Sequence, residues 1–465
     1  MQQMRFAERC DVARAALADV SSTMLEGRIT GVSGLMVEVA GLSQHASVGD
    51  RLSLQARSGR QLDAEIVGFR AGTAQAMIFS ATDGLGPGSA AWMPAPTPRL
   101  PDADPISGHG HRLAVSDGWI GRVVDPLGRA IDGNGPPPRG STPRPVRAAP
   151  PEATLRARLG PRLDLGVRAM NCFTTCRRGQ RLGLFAGSGV GKSTLMAMLA
   201  RQTDCDVAVL ALVGERGREV REFLEDDLGP QGLARSVVVI ATSDQPPLMR
   251  REAAYAAMTI AEHFRDQGKS VLLMMDSVTR FCLALREIGL SAGEPPATRG
   301  YPPSVFAELP RLLERAGPGP VINGHAGHIT GLFTVLVEGD DHNEPVADAV
   351  RGILDGHVIL DRRIGEGGRY PAVDVLRSLS RTVPGCNSAD ENDFTRRARA
   401  VLALYAEMED LIRLGAYRIG TDPAVDEAIR LTPRIEAMLR QDRAEATNLD
   451  ASFAALREAM QTGAS

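Results

Sequence analysis

Aromatic side chains make up only 4% of this 465-residue chain, so its core must rest on Leu, Val, Ile, Ala and Met. Between Thr23 and Pro94 the aromatics are Phe69, Phe79 and Trp92, too few for a surface on which a single strand of RNA could stack. Charge of one sign is lacking too: 53 basic and 56 acidic residues leave a formal charge of −3, so nothing in the balance points to nucleic acid. Long apolar runs are missing. Those present, such as Val207 to Val213, are strand-sized and far short of the ~18 residues that span a bilayer. The first twenty residues mix charge with apolar side chains throughout, unlike a secretory signal. Six cysteines are scattered, and although Cys172 and Cys176 stand four apart, no second Cys or His pair completes a metal site. They read as small buried thiols in a reduced, cytoplasmic chain. His325 and His328 fall in a glycine-rich stretch, Asn323 to Thr330, that reads as a loop rather than a ligand pair.

The length suits two or three domains, and the texture changes along it. Phe6, Cys10, Ala13, Leu17 and Val20 recur at helical spacing opposite Arg5, Glu8, Asp11 and Asp19, so residues 1–22 form an amphipathic helix. Such a helix either docks a partner or packs on its own chain. Residues 23–100 show short β runs punctuated by glycine, as in a small barrel. Two proline-rich connectors follow, around Pro94 to Pro105 and Gly133 to Pro151. The second has seven prolines in nineteen residues and must be extended.

From Arg181 to Asp361, apolar runs alternate with helical stretches. The runs are Arg181–Ala186, Val207–Val213, Val237–Ala241, Val271–Met275, Leu332–Val337 and His357–Leu360. Runs this apolar are buried on both faces, which predicts a mainly parallel sheet covered by helices. Residues 101–388 thus read as an α/β core with a proline-rich lead-in, and 389–465 as a helical domain. In the latter, Phe394, Ala398, Val401, Tyr405, Met408 and Ile412 make one stripe, and Asp422-Pro423 caps a further helix.

Directly after the first apolar run stands Ala186-Gly-Ser-Gly-Val-Gly-Lys-Ser193. A phosphate needs bare N–H groups curled around it, a helix N-terminus, a lysine and a hydroxyl for Mg²⁺. Gly187, Gly189 and Gly191 supply the first, Lys192 the lysine and Ser193 the hydroxyl, while Ala186 stands where glycine is usual. Asp276 closes the strand Val271–Met275, where an acid either caps a helix or holds a Mg²⁺ shell. Glu215, in Gly214-Glu-Arg-Gly-Arg-Glu219, follows another strand. There it is either part of a solvated charge run, which composition favours, or a carboxylate that polarises water.

Those three segments, with Asp276-Ser-Val-Thr-Arg-Phe281 and Tyr370-Pro-Ala-Val-Asp-Val-Leu-Arg-Ser-Leu-Ser-Arg381, resemble the catalytic subunits of the rotary ATP synthase head and their relatives. Gly121-Arg-Val-Val-Asp-Pro-Leu-Gly-Arg129 resembles the same family's lead into its core, and the similarity runs in order from about residue 24 to the end. The resemblance implies a multidomain α/β fold: an N-terminal β-barrel, a central RecA-like P-loop domain and a C-terminal helical domain. It implies an ATP hydrolase using Mg²⁺, working as a homo-hexameric ring. Gly187, Ser188, Gly189, Val190, Gly191, Lys192, Ser193 and Thr194 then hold the phosphates, and Ser193 ligates Mg²⁺. Asp276 holds the Mg²⁺ through water, and Tyr370 lies against adenine. Glu215 is the catalytic carboxylate, Arg216 its charge partner or an intersubunit contact, and Arg381 the arginine finger reaching into a neighbour's site.

Within the family the phosphate loop is similar to that of flagellar protein-export ATPases. The injectisome ATPases are the alternative, and a non-catalytic ring subunit or an RNA-translocating ring are remoter ones. Thr334-Val-Leu-Val-Glu-Gly-Asp-Asp341 and Arg351-Gly-Ile-Leu-Asp-Gly-His357 fit both export branches and not ATP synthase. Two departures, Asn171 for Asp and His328 for Ser, lie away from the predicted nucleotide. The resemblance also implies a regulatory stalk protein at the N-terminal helix, export substrates with chaperones, and a membrane export gate approached from the cytoplasm.

Overall fold

A computed structural model describes residues 23–95, 110–187, 189–321, 324–337 and 344–461. The amphipathic segment 1–22 and most of the first connector lie outside them. Six short strands come first: β1 (Met24–Ser33), β2 (Met36–Ala40), β3 (Arg51–Gln55), β4 (Gln61–Arg70), β5 (Thr73–Ile78) and β6 (Ala90–Pro94). They pair in the order β1-β2-β5-β4-β3-β6, and β6 returns to β1, which closes a barrel without free edges. Side chains alternate in and out along each strand. Val37, Val39, Leu52, Leu54 and Ile66 fill the inside while Glu38 and Gln55 face outward. The second proline-rich connector contains no helix; Arg144–Pro145 in it pairs with Arg112–Leu113.

The core sheet comprises β7 (Val123–Val124), β8 (Arg181–Ala186), β9 (Val207–Glu215), β10 (Ser236–Thr242), β11 (Ser270–Asp276), β12 (His328–Leu336), β13 (Gly356–Leu360) and β14 (Val373–Ser380). Their order is β14-β13-β8-β12-β11-β9-β10-β7, with the short strand Gly317–Pro318 added beside the start of β12; the pairings are parallel except β13 with β14 and Gly317–Pro318 with β12. All nine residues of β9 are buried, as the unbroken apolar runs predict. Two boundaries differ from the sequence reading. β9 continues through Glu215, which is therefore the last residue of a strand and no part of a solvated run. His328 opens β12 instead of lying in a loop, because Ser270 pairs with it and its N–H donates to the Lys269 carbonyl at 3.0 Å.

Helices cover both faces. On one side lie α1 (Arg168–Phe173), α2 (Lys192–Gln202) and three C-terminal helices: α5 (Ala389–Arg413), α6 (Pro423–Leu439) and α7 (Leu449–Met460). Leu184, Leu210, Leu199, Val401, Leu431 and Phe453 belong to one continuous cluster, so the C-terminal helices share the core of the P-loop strand. Cys172 and Cys176 sit buried in the same cluster, and burial pushes both thiols well above their usual range. On the other side α3 (Pro247–Arg265) and α4 (Val278–Ser291) pack on Val209, Phe333 and Val335. Ser388 and Glu391 form a capping box at the start of α5, and Asp422 caps α6.

Barrel and core are joined by buried charge. The Arg251 guanidinium on α3 donates to Glu65 of the barrel at 2.5 Å and to Glu252 at 2.8 Å. Arg51 reaches Glu252 at 3.4 Å, Arg147 reaches Glu65 at 3.3 Å and His111 reaches Glu252 at 3.3 Å. Burial alone would raise the Glu252 carboxyl, but Arg251 and its neighbours hold it well below the usual range. Arg251→Ala is expected to cost about 3–5 kcal/mol, because two buried carboxylates lose their main cation. Chemical denaturation should show that loss; a change under about 1 kcal/mol would mean that the pair adds nothing to the joint.

Candidate active site

The phosphate loop follows from two glycines. β8 ends at Ala186, and α2 begins at Lys192. Between them Gly189 and Gly191 take φ of 76° and 84°, where a β-carbon is strained. At Gly191 a β-carbon would also lie 3.3 Å from the Tyr370 ring. Val190 is buried beneath the loop, Ser193 is exposed at the first turn of α2, and Thr194 is half-buried beside it. Gly187 completes the turn, and Ser188 lies outside the described residues. The arrangement leaves N–H groups and a helix N-terminus facing one space, as an anion requires.

Into that space project side chains from the ends of two other strands. Lys192 Nζ is 2.5 Å from Asp276 Oδ1 and 3.6 Å from Glu215 Oε1. The register explains the convergence: Leu212 on β9 pairs with Asp276 on β11, and Ala186 on β8 pairs with Leu336 on β12. Glu215, 9% exposed, has its carboxyl raised above the usual range by burial first and then by Asp276, while Lys192 and Arg280 oppose the shift. Its Oε1 is buried without a hydrogen-bond partner. Buried polar atoms are nearly always bonded, so this one marks a place for water.

Sequence reasoning did not assign Arg280. It lies on the first turn of α4, where Ser277 Oγ accepts its N–H at 3.3 Å. Its guanidinium donates to the Gly214 carbonyl at 2.6 Å, with Nε 3.8 Å from Glu215 Oε1 and itself unbonded. The available signal was its place in the first turn of the helix that directly follows the Asp276 strand, which keeps it at the same edge of the sheet. Thr334 was also unassigned. Its hydroxyl donates to Asp276 Oδ1 at 2.7 Å.

The remaining candidates divide. Tyr370 stands beside Gly191, 47% exposed, and its carbonyl accepts from the Gln441 N–H at 2.9 Å, just beyond α6. Arg216 is not brought to the cluster: its side chain is 76% exposed and pairs with Glu219 at 3.2 Å. Arg381 is exposed, and its N–H donates to the Asp355 carbonyl at 2.9 Å. Asp355 also accepts from Arg181 N, at the opposite end of β8 from the loop. Five residues of strand, roughly 16 Å, separate that level from Ala186, farther than an arginine extends.

The donor set fits MgATP: a lysine and a glycine turn for phosphates, a hydroxyl and an aspartate for Mg²⁺, and a carboxylate with one unbonded oxygen for water. Among the described residues no helix is long and apolar enough to cross a membrane.

Comparison with known proteins agrees in all three regions. Residues 29–91 match the model of the ATP synthase alpha/beta family, beta-barrel domain, and 166–380 that of the same family's nucleotide-binding domain. Residues 388–458 match the T3SS EscN ATPase C-terminal domain. The flagellum-specific ATP synthase of Caulobacter vibrioides is 53% identical over 96% of this chain and 98% of its own. That of Bacillus subtilis is 48% identical over 92% and 94%. A type 3 secretion system ATPase of Xanthomonas euvesicatoria is 47% identical over 89% of each chain. The assembled ATPase EscN of the enteropathogenic E. coli type III secretion system superposes with a TM-score of 0.83, at 38% identity, over 94% of this chain and all of that one.

Because Arg280 lowers the raised Glu215 carboxyl, Arg280→Met is expected to push that carboxyl to still higher pH. The side-chain carbon resonance of Glu215, assigned with Glu215→Gln, reports it; an unchanged or lower midpoint would contradict the pairing.

Proposed function

This chain belongs to the flagellum-specific ATP synthases of the ATP synthase alpha/beta family, type III export ATPases that hydrolyse ATP, and from that premise we propose how its residues divide the reaction. The observation that carries the proposal is the convergence of Lys192, Glu215 and Asp276 at the phosphate loop, with Glu215 Oε1 left unpartnered.

The loop N–H groups of residues 187–191 wrap the phosphates, and Lys192 leaves Asp276 for the β- and γ-phosphate oxygens. Thr194 and Val190 keep the first turn of α2 in place. Ser193 would ligate Mg²⁺ and Asp276 would hold it through water, and the bound ion would supply neutralisation of phosphate charge. Glu215 orients and polarises the attacking water, and a carboxyl raised by burial is a stronger base toward that water than an ordinary one. Arg280 adds a cation beside Glu215 and the γ-phosphate. The Tyr370 ring lies against adenine, and stacking needs no base-specific contact. Arg216 serves the ring as an intersubunit contact.

Arg381 serves a neighbour. Its distance from its own phosphate loop supports a finger that acts only in trans, so the working unit is a homo-hexamer with sites between subunits. In the export setting the ring engages substrates and chaperones in the cytoplasm and delivers them to a membrane gate. Segment 1–22 docks a regulatory stalk protein; EscN has a structure in complex with its central stalk EscO, which supports a stalk partner here. An injectisome role is the second reading, favoured by the Xanthomonas relative. Higher identity to the Caulobacter flagellar protein favours the first.

Steady-state hydrolysis against protein concentration is expected to rise cooperatively. Arg381→Ala should lose ~10³–10⁵ in rate while ATP still binds. Glu215→Gln should be equally inactive alone. Mixing the two variants should restore activity, since about a quarter of the sites in a random ring pair an intact Glu215 with a neighbour's Arg381. Mixed rings with no activity, or full turnover by Arg381→Ala, would remove the trans role.

A further inference from the structure

Thr334 lies in the segment that sets the export branches apart, and nothing above gives it a task. β12 runs between β8, which carries the phosphate loop, and β11, which ends at Asp276. Thr334 pairs with Leu184 on one side, and its neighbour Phe333 pairs with Met275 on the other. Around it the strand reads Gly331-Leu-Phe-Thr-Val335, buried and otherwise apolar apart from the glycine. Thr334 itself is fully buried. A hydroxyl there costs free energy unless it is bonded, so its partner matters.

That partner is Asp276. Thr334 Oγ1 is 2.7 Å from Asp276 Oδ1 and 3.2 Å from the Met275 carbonyl. With one proton to give, the shorter bond to a charged acceptor is the stronger. Lys192 Nζ falls on the same oxygen at 2.5 Å, which leaves Oδ2 as the oxygen available to a metal-bound water. The two donors differ in permanence. Lys192 is on a flexible stem and is needed by the phosphates, whereas Thr334 is fixed in the middle of a sheet.

We propose that Thr334 is a positioning residue for Mg²⁺: its hydroxyl holds Asp276 Oδ1 after Lys192 has turned to the phosphates, so that Oδ2 stays aimed at the metal's water. The inference rests on the assignment of Asp276 to Mg²⁺ made above. Groups that orient a metal's carboxylate typically account for ~10–100-fold in metal affinity or activity.

Calorimetric binding of ADP to the full-length chain, with Mg²⁺ and again with excess EDTA, tests this. Wild type is expected to bind ADP more tightly with Mg²⁺. Thr334→Val and Thr334→Ala should bind metal-free ADP as wild type does and lose ~10–100-fold of the Mg²⁺-dependent tightening. Thr334→Ser should keep that tightening. Full tightening in the Val and Ala variants would overturn the inference, as would an equal loss with and without metal. Asp276→Asn separates the levels. If it loses the tightening while Thr334→Val keeps it, only the role of Thr334 falls; if it keeps the tightening, the Mg²⁺ assignment falls as well.

Discussion

One lysine is shared by two carboxylates at the end of a dry sheet. Lys192 comes from the first turn of α2, Glu215 and Asp276 from two strand ends, and each is mostly buried. Charges so placed are unfavourable unless paired, and one ammonium cannot fully satisfy two carboxylates. The imbalance falls on Glu215: Asp276 takes the short contact, Glu215 keeps an unbonded oxygen, and burial beside Asp276 raises its carboxyl. In the proposed reading, phosphates that compete for the lysine rearrange this cluster. Everything nearby serves that geometry. The parallel register aligns the strand ends, the glycines open the turn, and Arg280 and Thr334 each restrain one carboxylate.

Much of this was legible in the sequence, for physical reasons. The six inner strands announced themselves because burial on both faces forces unbroken apolar runs. β7 and β14 did not. β7 is two residues long, and β14 is an edge strand whose Leu376 and Leu379 face outward, which breaks the pattern. Glu215 was ambiguous because the residues after it, Arg216 to Glu219, are a charged and largely exposed turn; only the strand pairing shows that the buried register runs one residue past Gly214. Arg280 and Thr334 were hidden because their functions depend on which atoms the fold brings to Glu215 and Asp276, and neither lies in the short motif that identifies the phosphate loop.

Two features extend the site beyond one chain's sheet. The C-terminal helices share the core of the phosphate-loop strand, and the backbone just beyond α6 bonds the carbonyl of Tyr370. The phosphate-loop strand and Tyr370 are thus packed directly against the helical domain. Arg381 shows the opposite relation, because its strand runs antiparallel to β13 and carries it to the far end of the sheet. In the proposed reading Arg381 is a finger that its own chain cannot use, which makes assembly a requirement of the chemistry. The barrel is tied to α3 through Arg251 and Glu65.

The central claim is that nucleotide takes Lys192 from Asp276 while a second copy completes the site. A cryo-EM structure of the assembled ring with ADP, Mg²⁺ and a fluoride mimic of the transferring phosphoryl group would test it most directly. The expected result is Lys192 Nζ on the mimic, Asp276 facing the Mg²⁺ shell through water, and Arg381 of the adjoining copy at the mimic. A mimic bound while Lys192 remained on Asp276, or neutralised only by arginines of its own chain, would contradict the account.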